Sequence, residues 1–207
     1  MLRMILSLVL LMASPAVAKT SIATVAGGCF WCVEADFESV PGVKGVISGF
    51  TGGKTRNPTY KEVKGGKTGH YEAAQIFYDP ARISYEQILE LFFRSVDPTD
   101  AGGQFCDRGS SYRTAIFVKT AAEKAAAEAA KAKAQSALGR KVATMILPAG
   151  PFYKAGEEHQ NYYRGKHIVL TRRGLKTQAG AYAFYRKACG RDQRVKQLWG
   201  SAAPFTR

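Results

Sequence analysis

A cysteine flanked by glycines and aromatic residues is the part of this sequence best suited to chemistry. Residues 27–34 read GGCFWCVE and follow a short apolar run at 22–26. Val33, Phe37 and Val40 are then spaced like one face of a helix. Cys29 is therefore predicted to lie where a strand turns into a helix. The unpaired N–H groups and the positive dipole end at that point favour a thiolate over a thiol.

The residues around Cys29 suit an activated nucleophile with an apolar group bound beside it. The two preceding glycines allow the backbone to turn tightly in front of the sulfur. Phe30 and Trp31 can form a small apolar pocket next to Cys29. The competing interpretations are a buried, inert cysteine and one half of a disulfide.

Four further residues could assist a thiolate. Glu72 lies near the start of a predicted strand, where it is either a solvated residue or a buried carboxyl with a raised pKa that can donate a proton. Asp107 could orient a group in the site, or it could form a turn before Gly109. Tyr60 and Tyr112 are candidate hydroxyl donors, although loop tyrosines often lie on the surface.

The four cysteines allow several arrangements. Cys29, Cys32, Cys106 and Cys189 could form two disulfides in an oxidising compartment, with three possible pairings. The C-x-x-C spacing of Cys29 and Cys32 is instead typical of redox-active pairs. A zinc module would need a second C-x-x-C motif, and Cys106 and Cys189 stand singly.

The first 18 residues resemble a secretory signal peptide. Arg3 precedes an apolar run at 4–13, and residues 16–18 form an A-x-A cleavage box, so we expect cleavage after Ala18. The run is short for a membrane span, which disfavours an uncleaved anchor. We therefore expect one catalytic domain at residues 19–207, exported to the periplasm and without stable membrane insertion.

The chain is strongly basic, with 30 Lys and Arg against 16 Asp and Glu and a net charge of +14. Such a charge can indicate nucleic-acid binding. The basic residues are scattered, however, and form no basic helix or zinc-finger pattern, so we expect no nucleic-acid partner. The acidic and histidine residues at 157–159 could suggest a metal site, but the second histidine of a zinc protease is missing, which favours a structural role.

The hydrophobic pattern predicts an α+β fold. We expect strands at 21–26, 43–50, 70–78, 113–119 and 142–147, helices at 29–39, 84–96 and 121–138, and a further helix near 179–188 in an otherwise irregular C-terminal extension. This order is that of a ferredoxin-like, split β-α-β sandwich core. Two segments, 54–69 and 97–112, are predicted to be long irregular loops, which are often functional.

Several motifs together resemble one known family. GCFW at 28–31, followed by Glu34, is similar to the signature of the peptide methionine sulfoxide reductase A family. Other segments agree in order: GFTGG at 49–53, NPTY at 57–60, GHYEA at 69–73, FYDP at 77–80, DPT at 97–99, DRGSSYR at 107–113 and EHQ at 158–160. The family is one that reverses methionine oxidation.

The resemblance implies a role for each candidate residue. Cys29 would attack the sulfur of the S epimer of methionine sulfoxide, and Phe30 and Trp31 would hold the substrate methyl group. Protonated Glu72 would give its proton to the sulfoxide oxygen. Tyr60 and Tyr112 would donate hydrogen bonds to that oxygen, and Asp107 would polarise the site.

The resemblance also implies how the enzyme is regenerated. Cys29 would become a sulfenic acid, which a second thiol condenses to a disulfide, and a thioredoxin-type reductant would reopen it. The glycine-rich tail with recycling cysteines found in well-known members is missing. We expect Cys189 to be the resolving cysteine, with Cys32 as the second candidate and Cys106 also near the site.

The implied substrates are oxidised proteins or free methionine sulfoxide, and the implied protein is a monomer that needs no metal or organic cofactor. The alternative function is that of a thioredoxin-like thiol–disulfide oxidoreductase. It would use the C-x-x-C motif but leave Glu72 and Asp107 without a role.

Overall fold

The centre of the structure is a six-stranded mixed sheet. The computed structural model describes residues 19–206, so the predicted signal peptide at 1–18 lies outside the described residues. The strands are β1 Ser21–Gly27, β2 Val43–Thr51, β3 Tyr71–Tyr78, β4 Gly103–Gln104, β5 Asp107–Arg108, β6 Thr114–Val118, β7 Met145–Pro148, β8 Tyr153–Lys154, β9 Ile168–Thr171 and β10 Gly174–Thr177. The helices are α1 Phe30–Phe37, α2 Tyr60–Lys64, α3 Tyr85–Ser95, α4 Ala121–Leu138, α5 Gln178–Ala188 and α6 Arg191–Trp199.

The order of strands across the sheet confirms the split β-α-β prediction. It runs β7-β6-β1-β3-β2-β8. The four central strands pair antiparallel, β7 lies parallel to β6, and β8 extends the other edge beside β2. The first strand is therefore central, and the chain leaves it directly into α1 at Cys29.

Helices α1, α3 and α4 pack on one face of the sheet, toward which alternate residues of the strands point. Ala74 and Ile76 of β3 point into the main core with α1, α3 and α4, whereas Tyr71 and Ala73 point to the opposite face. Glu72 shares the period of Ala74 and Ile76. It therefore lies on the helix-covered face, directly under the start of α1.

Gly28 makes the turn from β1 to α1 possible. Its φ of +79° is in the left-handed region that side chains disfavour. A Cβ atom there would also lie 2.5 Å from the Cβ of Gln104, which is fully buried. Conformation and close packing thus both require glycine immediately before the nucleophile candidate.

The two predicted loops contain short regular elements. The segment 54–69 includes α2, whose start is stabilised by a capping box between Thr59 and Glu62. The segment 97–112 includes the β4–β5 hairpin and a 3₁₀ turn at Ser110–Tyr112. In both cases the elements are two to five residues long, too short for hydrophobic periodicity to reveal them.

The C-terminal extension is more regular than predicted. The expected helix is α5, but the hairpin β9–β10 and a second helix, α6, were not predicted. A disulfide between Cys106 and Cys189 joins the end of α5 to the turn between β4 and β5. Within residues 19–206, no helix is both long and apolar enough to cross a membrane.

Candidate active site

Cys29 and Cys32 form a thiol pair on the first turn of α1. Cys29 is the N-cap residue, and its carbonyl oxygen accepts a hydrogen bond from the Cys32 N–H at 3.1 Å. Both are free thiols, Cys29 partly exposed and Cys32 buried, and their side chains are hydrogen-bonded to each other. The outer sulfur can therefore meet a substrate while the inner sulfur lies behind it.

The two thiols differ in their electrostatic surroundings. The hydrogen bond with Cys29 lowers the pKa of Cys32 to about 7, and Arg191 and Arg186 act in the same direction. The hydrogen bond with Cys32, burial and the carboxyls of Glu72 and Asp107 raise the pKa of Cys29. The start of α1 opposes this rise by favouring negative charge on Cys29, and a proton on Glu72 removes that residue's repulsion.

Glu72 is a buried carboxyl at the base of the site. It is 2 % exposed, and its Oε2 accepts the Phe30 N–H at 3.2 Å. Its Oε1 has no hydrogen-bond partner among the described residues. Burial is the main reason that the pKa of Glu72 rises to about 8. The side chain is therefore a neutral acid at pH 7, held beside Cys29 with one oxygen unused.

Two tyrosines and one aspartate complete the polar part of the site. Tyr60 and Tyr112 are hydrogen-bonded to each other, and Tyr112 lies beside the Glu72 carboxyl. Burial raises the pKa of both tyrosines, with the charges of Glu72 and Cys29 acting in the same direction, so both remain hydroxyl donors. Burial also raises the pKa of Asp107, whereas Arg191 lowers it.

The apolar part of the site surrounds Phe30, which is 1 % exposed. Its ring centroid lies 5.8 Å from that of Phe50, 6.1 Å from Tyr60 and 5.6 Å from His159. Burial lowers the pKa of His159, so it packs here as a neutral ring. The sequence motif GCFW thus brings an aromatic wall next to the thiol.

Trp31 forms the second side of this wall. Its ring stacks on Tyr162 with centroids 3.7 Å apart and planes inclined by 5°, and on His159 at 5.7 Å. Trp31, Tyr162 and Cys29 belong to one cluster of apolar contacts. Phe30 and Trp31, the two residues expected to form an apolar pocket, thus both lie next to the thiol pair.

Comparison with known proteins agrees with this geometry. The family model for peptide methionine sulfoxide reductase matches residues 21–200. The chain belongs to this family. Peptide methionine sulfoxide reductase MsrA 2 of Caulobacter vibrioides is 48% identical over 192 residues, covering 90% of each chain. MsrA of Bacillus subtilis is 46% identical over 185 residues, covering 88% of this chain and 98% of the relative.

Solved structures show the same reductase fold. Reduced Mxr1 from Saccharomyces cerevisiae superposes with a TM-score of 0.67 at 32% identity, covering 73% of this chain and 87% of that one. Methionine sulfoxide reductase A of Corynebacterium diphtheriae gives a TM-score of 0.62 at 30% identity, covering 76% and 83%. The α+β prediction and the family resemblance are both confirmed.

The segment at 158–163 is tied to α1 and β2 by hydrogen bonds. Buried Glu34 accepts the Asn161 N–H at 2.8 Å and the Ser48 hydroxyl at 3.2 Å. Gln160 exchanges hydrogen bonds with the main chain of Ser48 at 3.1 and 2.9 Å. These contacts hold His159 and Tyr162 against the aromatic wall. Among the described residues, no group of three His, Cys, Asp or Glu side chains could hold a metal ion.

Cys189 is disulfide-bonded in this structure and is not a free thiol. Its disulfide with Cys106 occupies its sulfur, and the Cα atoms of the two residues are 5.0 Å apart. Cys32 is the free thiol that contacts Cys29. Of the two candidates from the sequence, Cys32 is therefore the free thiol in contact with Cys29, whereas the sulfur of Cys189 is bonded to Cys106.

Sequence analysis missed a charged cluster beneath the thiols. Arg186 of α5 contacts Asp36 of α1 at 2.8 Å and Asp192 of α6 at 2.7 Å. Arg191 lies 3.9 Å from Asp36 and is 2 % exposed. No local pattern in the sequence indicates the contacts with Asp36, which for Arg186 span 150 positions. They place two guanidinium groups behind Cys32.

Proposed function

We propose that this member of the peptide methionine sulfoxide reductase family reduces the S epimer of methionine sulfoxide, free or within a polypeptide, to methionine. Cys29 is the nucleophile in this proposal. The reaction is thiol-dependent, and its product restores an apolar side chain to an oxidised protein. The enzyme thus repairs oxidative damage to proteins.

The observation that carries the proposal is the neutral Glu72 carboxyl beside Cys29. A sulfoxide has a basic oxygen on its sulfur, and reducing it requires a nucleophile at sulfur and an acid at oxygen. Glu72 is fixed by the Phe30 N–H through Oε2, and its buried Oε1 has no hydrogen-bond partner among the described residues. A pKa of about 8 keeps the proton on this carboxyl at neutral pH. Thiol–disulfide exchange, in contrast, transfers sulfur to sulfur and has no leaving oxygen for this acid to protonate.

The first half of the reaction follows from this arrangement. Cys29 gives its proton to the neighbouring Cys32 thiolate and attacks the sulfoxide sulfur, while Glu72 protonates the oxygen. Tyr60 and Tyr112 donate hydrogen bonds to the same oxygen. The S–O bond of the substrate breaks as the oxygen passes to Cys29, which leaves methionine and a Cys29 sulfenic acid. Solvent then returns a proton to Glu72.

The substrate is oriented by its apolar and polar ends. Phe30 and Trp31 contact the methyl group, while the oxygen points toward Glu72. An R sulfoxide bound with its methyl group in the same pocket would direct its oxygen away from this acid. We therefore assign selectivity for the S epimer to the fixed positions of the aromatic wall and the carboxyl, with Asp107 polarising the site.

The second half of the reaction uses Cys32 as the resolving thiol. Its sulfur already contacts that of Cys29, and the Arg191 and Arg186 guanidinium groups, which lower the pKa of Cys32, remain beside it after Cys29 is oxidised. Attack on the sulfenic acid forms the Cys29–Cys32 disulfide and releases the oxygen as water. A thioredoxin-type protein is the proposed electron donor, because a dithiol can reopen this disulfide by exchange.

The proposed site of action is the periplasm. The support is the sequence of residues 1–18, with its basic start, apolar run and A-x-A box. In this proposal, cleavage after Ala18 leaves a single catalytic domain that acts as a monomer and needs no bound metal or organic cofactor.

The test is turnover of the separated S and R epimers of a methionine sulfoxide derivative by the protein lacking residues 1–18. Dithiothreitol is the reductant, and Cys29→Ser is the matched variant. We expect reduction of the S epimer alone and complete loss of turnover in the variant. Turnover of neither epimer by folded wild-type protein would refute the proposal and favour thiol–disulfide exchange.

A second comparison identifies the resolving cysteine. With thioredoxin as reductant, Cys32→Ser is expected to release one methionine per enzyme and then stop, because its sulfenic acid has no partner. Cys189→Ser is expected to turn over. The reverse result would assign the resolving role to Cys189.

A further inference from the structure

A buried guanidinium group lies under the turn that carries the active-site thiols. Arg191, the first residue of α6, donates to the carbonyl oxygen of Gly27 at 3.3 Å and to that of Ser95 at 2.9 Å. Its guanidinium lies 4.8 Å from the centre of the Phe105 ring. The side chain is thus held in one place by β1, α3 and the β4–β5 turn.

Arg191 differs from its neighbour Arg186 in how its charge is compensated. Arg186 forms short ion pairs with two carboxylates, Asp36 at 2.8 Å and Asp192 at 2.7 Å. Arg191 is held mainly by neutral carbonyl oxygens, and its one ion pair within residues 19–206, with Asp36, is 3.9 Å long. Its Nε has no hydrogen-bond partner among the described residues. The charge of Arg191 is therefore less fully neutralised than that of Arg186, and it acts more strongly on other ionisable groups nearby.

Cys32 is an ionisable group whose pKa this charge lowers. The groups that face it are Cys29 and Asp36 on α1, Glu72 on β3, Tyr182 and Arg186 on α5, and Arg191 on α6. Burial and Asp36 raise the pKa of Cys32. After the hydrogen bond with Cys29, Arg191 lowers that pKa most, ahead of Arg186. Glu72 is neutral at pH 7, so the field at Cys32 is positive.

We propose that Arg191 is a positioning residue that stabilises Cys32 as the thiolate that resolves the Cys29 sulfenic acid. This inference rests on the proposed role of Cys32. In the step concerned, Cys32 sulfur forms a bond to Cys29 sulfur while the Cys29 S–O bond breaks. The oxygen leaves as hydroxide and takes a proton to become water, so the pair becomes a disulfide without a further oxidant.

Removal of the charge has a consequence that a loss of packing would not produce. Below its pKa, a thiol whose pKa rises by one unit loses tenfold in thiolate but gains about threefold in nucleophilicity, so attack slows about threefold. Above the new pKa both thiols are ionised, and the more basic one attacks about threefold faster. The pH profiles of wild type and variant should therefore cross.

The experiment measures resolution in a single turnover. Enzyme with its Cys106–Cys189 disulfide intact and two titratable thiols is mixed with a peptide containing methionine sulfoxide, without reductant. Dimedone trapping followed by mass spectrometry gives the sulfenic acid remaining at each time, and released methionine gives the first step. Wild type, Arg191→Gln and Arg191→Met are compared between pH 5.5 and 9.5.

We expect both neutral variants to resolve about threefold more slowly than wild type at pH 6 and about threefold faster at pH 9.5. Arg191→Lys should restore the wild-type midpoint, the pH at which the rate of resolution is half its maximum. Arg194→Met, on the same helix and paired with Asp97 at 2.7 Å, is the matched control and should leave the midpoint unchanged. Slower resolution by the same factor at every pH would overturn the proposal.

A variant expected to shift the midpoint in the opposite direction makes the test independent of whether the Arg191 variants fold. Asp36→Asn removes the anion between the two guanidinium groups and should shift the midpoint of resolution to lower pH. An unshifted midpoint in this variant would contradict the electrostatic proposal. Sulfenic acid that still resolves at the wild-type rate in Cys32→Ser would refute the proposed function of Cys32 itself, a result distinct from failure of Arg191 to tune it.

Discussion

We expect the buried carboxyl of Glu72 to lower the free energy of unfolding of the enzyme at neutral pH. Glu72 is 2 % exposed, and its pKa is raised from an ordinary value of 4.5 to about 8, chiefly by burial. We predict that Glu72→Gln abolishes most activity yet gains stability relative to wild type as pH rises. An amide keeps the size of the carboxyl and an oxygen for the Phe30 N–H, so the change removes mainly the proton equilibrium.

The sign of the effect follows from proton linkage. Between pH 4.5 and about 8 the unfolded chain has lost the Glu72 proton and the folded protein has kept it. The wild-type free energy of unfolding therefore falls by about 1.4 kcal/mol per pH unit in this window. At pH 7 the accumulated loss is about 3 kcal/mol, and it is absent below pH 4.5. Glu72→Gln lacks this loss entirely.

Two measurements test this account. Urea unfolding at pH 5.0, 6.0, 7.0 and 7.5 gives the free energy of unfolding of wild type and variant. Their difference should grow by about 1.4 kcal/mol per pH unit in favour of the variant, whatever constant offset the amide introduces. Single-turnover release of methionine should fall by a factor of about 10² to 10⁴ in the variant, the usual value of a general acid.

The pH dependence of the difference decides the outcome. Glu86→Gln, at an exposed position on α3, is the control and should show no such trend. The reasoning is refuted if the difference in free energy of unfolding between Glu72→Gln and wild type stays constant from pH 5.0 to 7.5. Constant here means within about 0.5 kcal/mol, roughly one third of the change expected per pH unit. The acid would then be ionised in the folded enzyme.

Two further predictions concern the elements that support the site. Replacing both Cys106 and Cys189 by serine opens a loop with a sequence separation of 83 residues and should lower the free energy of unfolding in urea by about 4.5 kcal/mol. Methionine release should be retained at low temperature. Loss of methionine release by the folded variant would give the disulfide a part in the chemistry. Gly49→Ala places a Cβ 2.4 Å from the Tyr153 carbonyl oxygen and should cost about 1–3 kcal/mol by overpacking the β2–β8 edge. Gly45→Ala on the same strand meets nothing within 4 Å and is the control, so equal losses in the two variants would contradict the packing argument.

The parts of the fold predicted from the sequence are those that local forces determine. The helix at Ala121–Leu138 was predicted with the bounds it has, because alanine, glutamate and lysine favour helix at nearly every position. Helix α3 was also predicted, with Ser84 as its N-cap. Helix α6 could not be predicted because its residues are mostly polar and show no clear apolar period. Its contacts with the rest of the chain stabilise it instead.

Prediction of the active site succeeded for residues in contiguous motifs. The turn at Cys29 follows from an apolar strand, two glycines and a helical pattern in sequence. For Glu72 the sequence allows both a surface residue and a buried acid, because strand period alone does not say which face is covered. The packing of α1 over β3 settles its position, and only that packing leaves the Oε1 atom buried and without a partner among the described residues.

The charges behind Cys32 could not be predicted because they depend on contacts between distant parts of the chain. Arg191 bonds to Gly27 across 164 positions, and Arg186 pairs with Asp36 across 150. Cys189 lies two residues before Arg191, and its disulfide to Cys106 holds the start of α6 against the active-site turn. The same cysteine that the sequence suggested as a chemical partner of Cys29 therefore has a positional role in the structure. It keeps a buried cation close to the thiol that does contact Cys29.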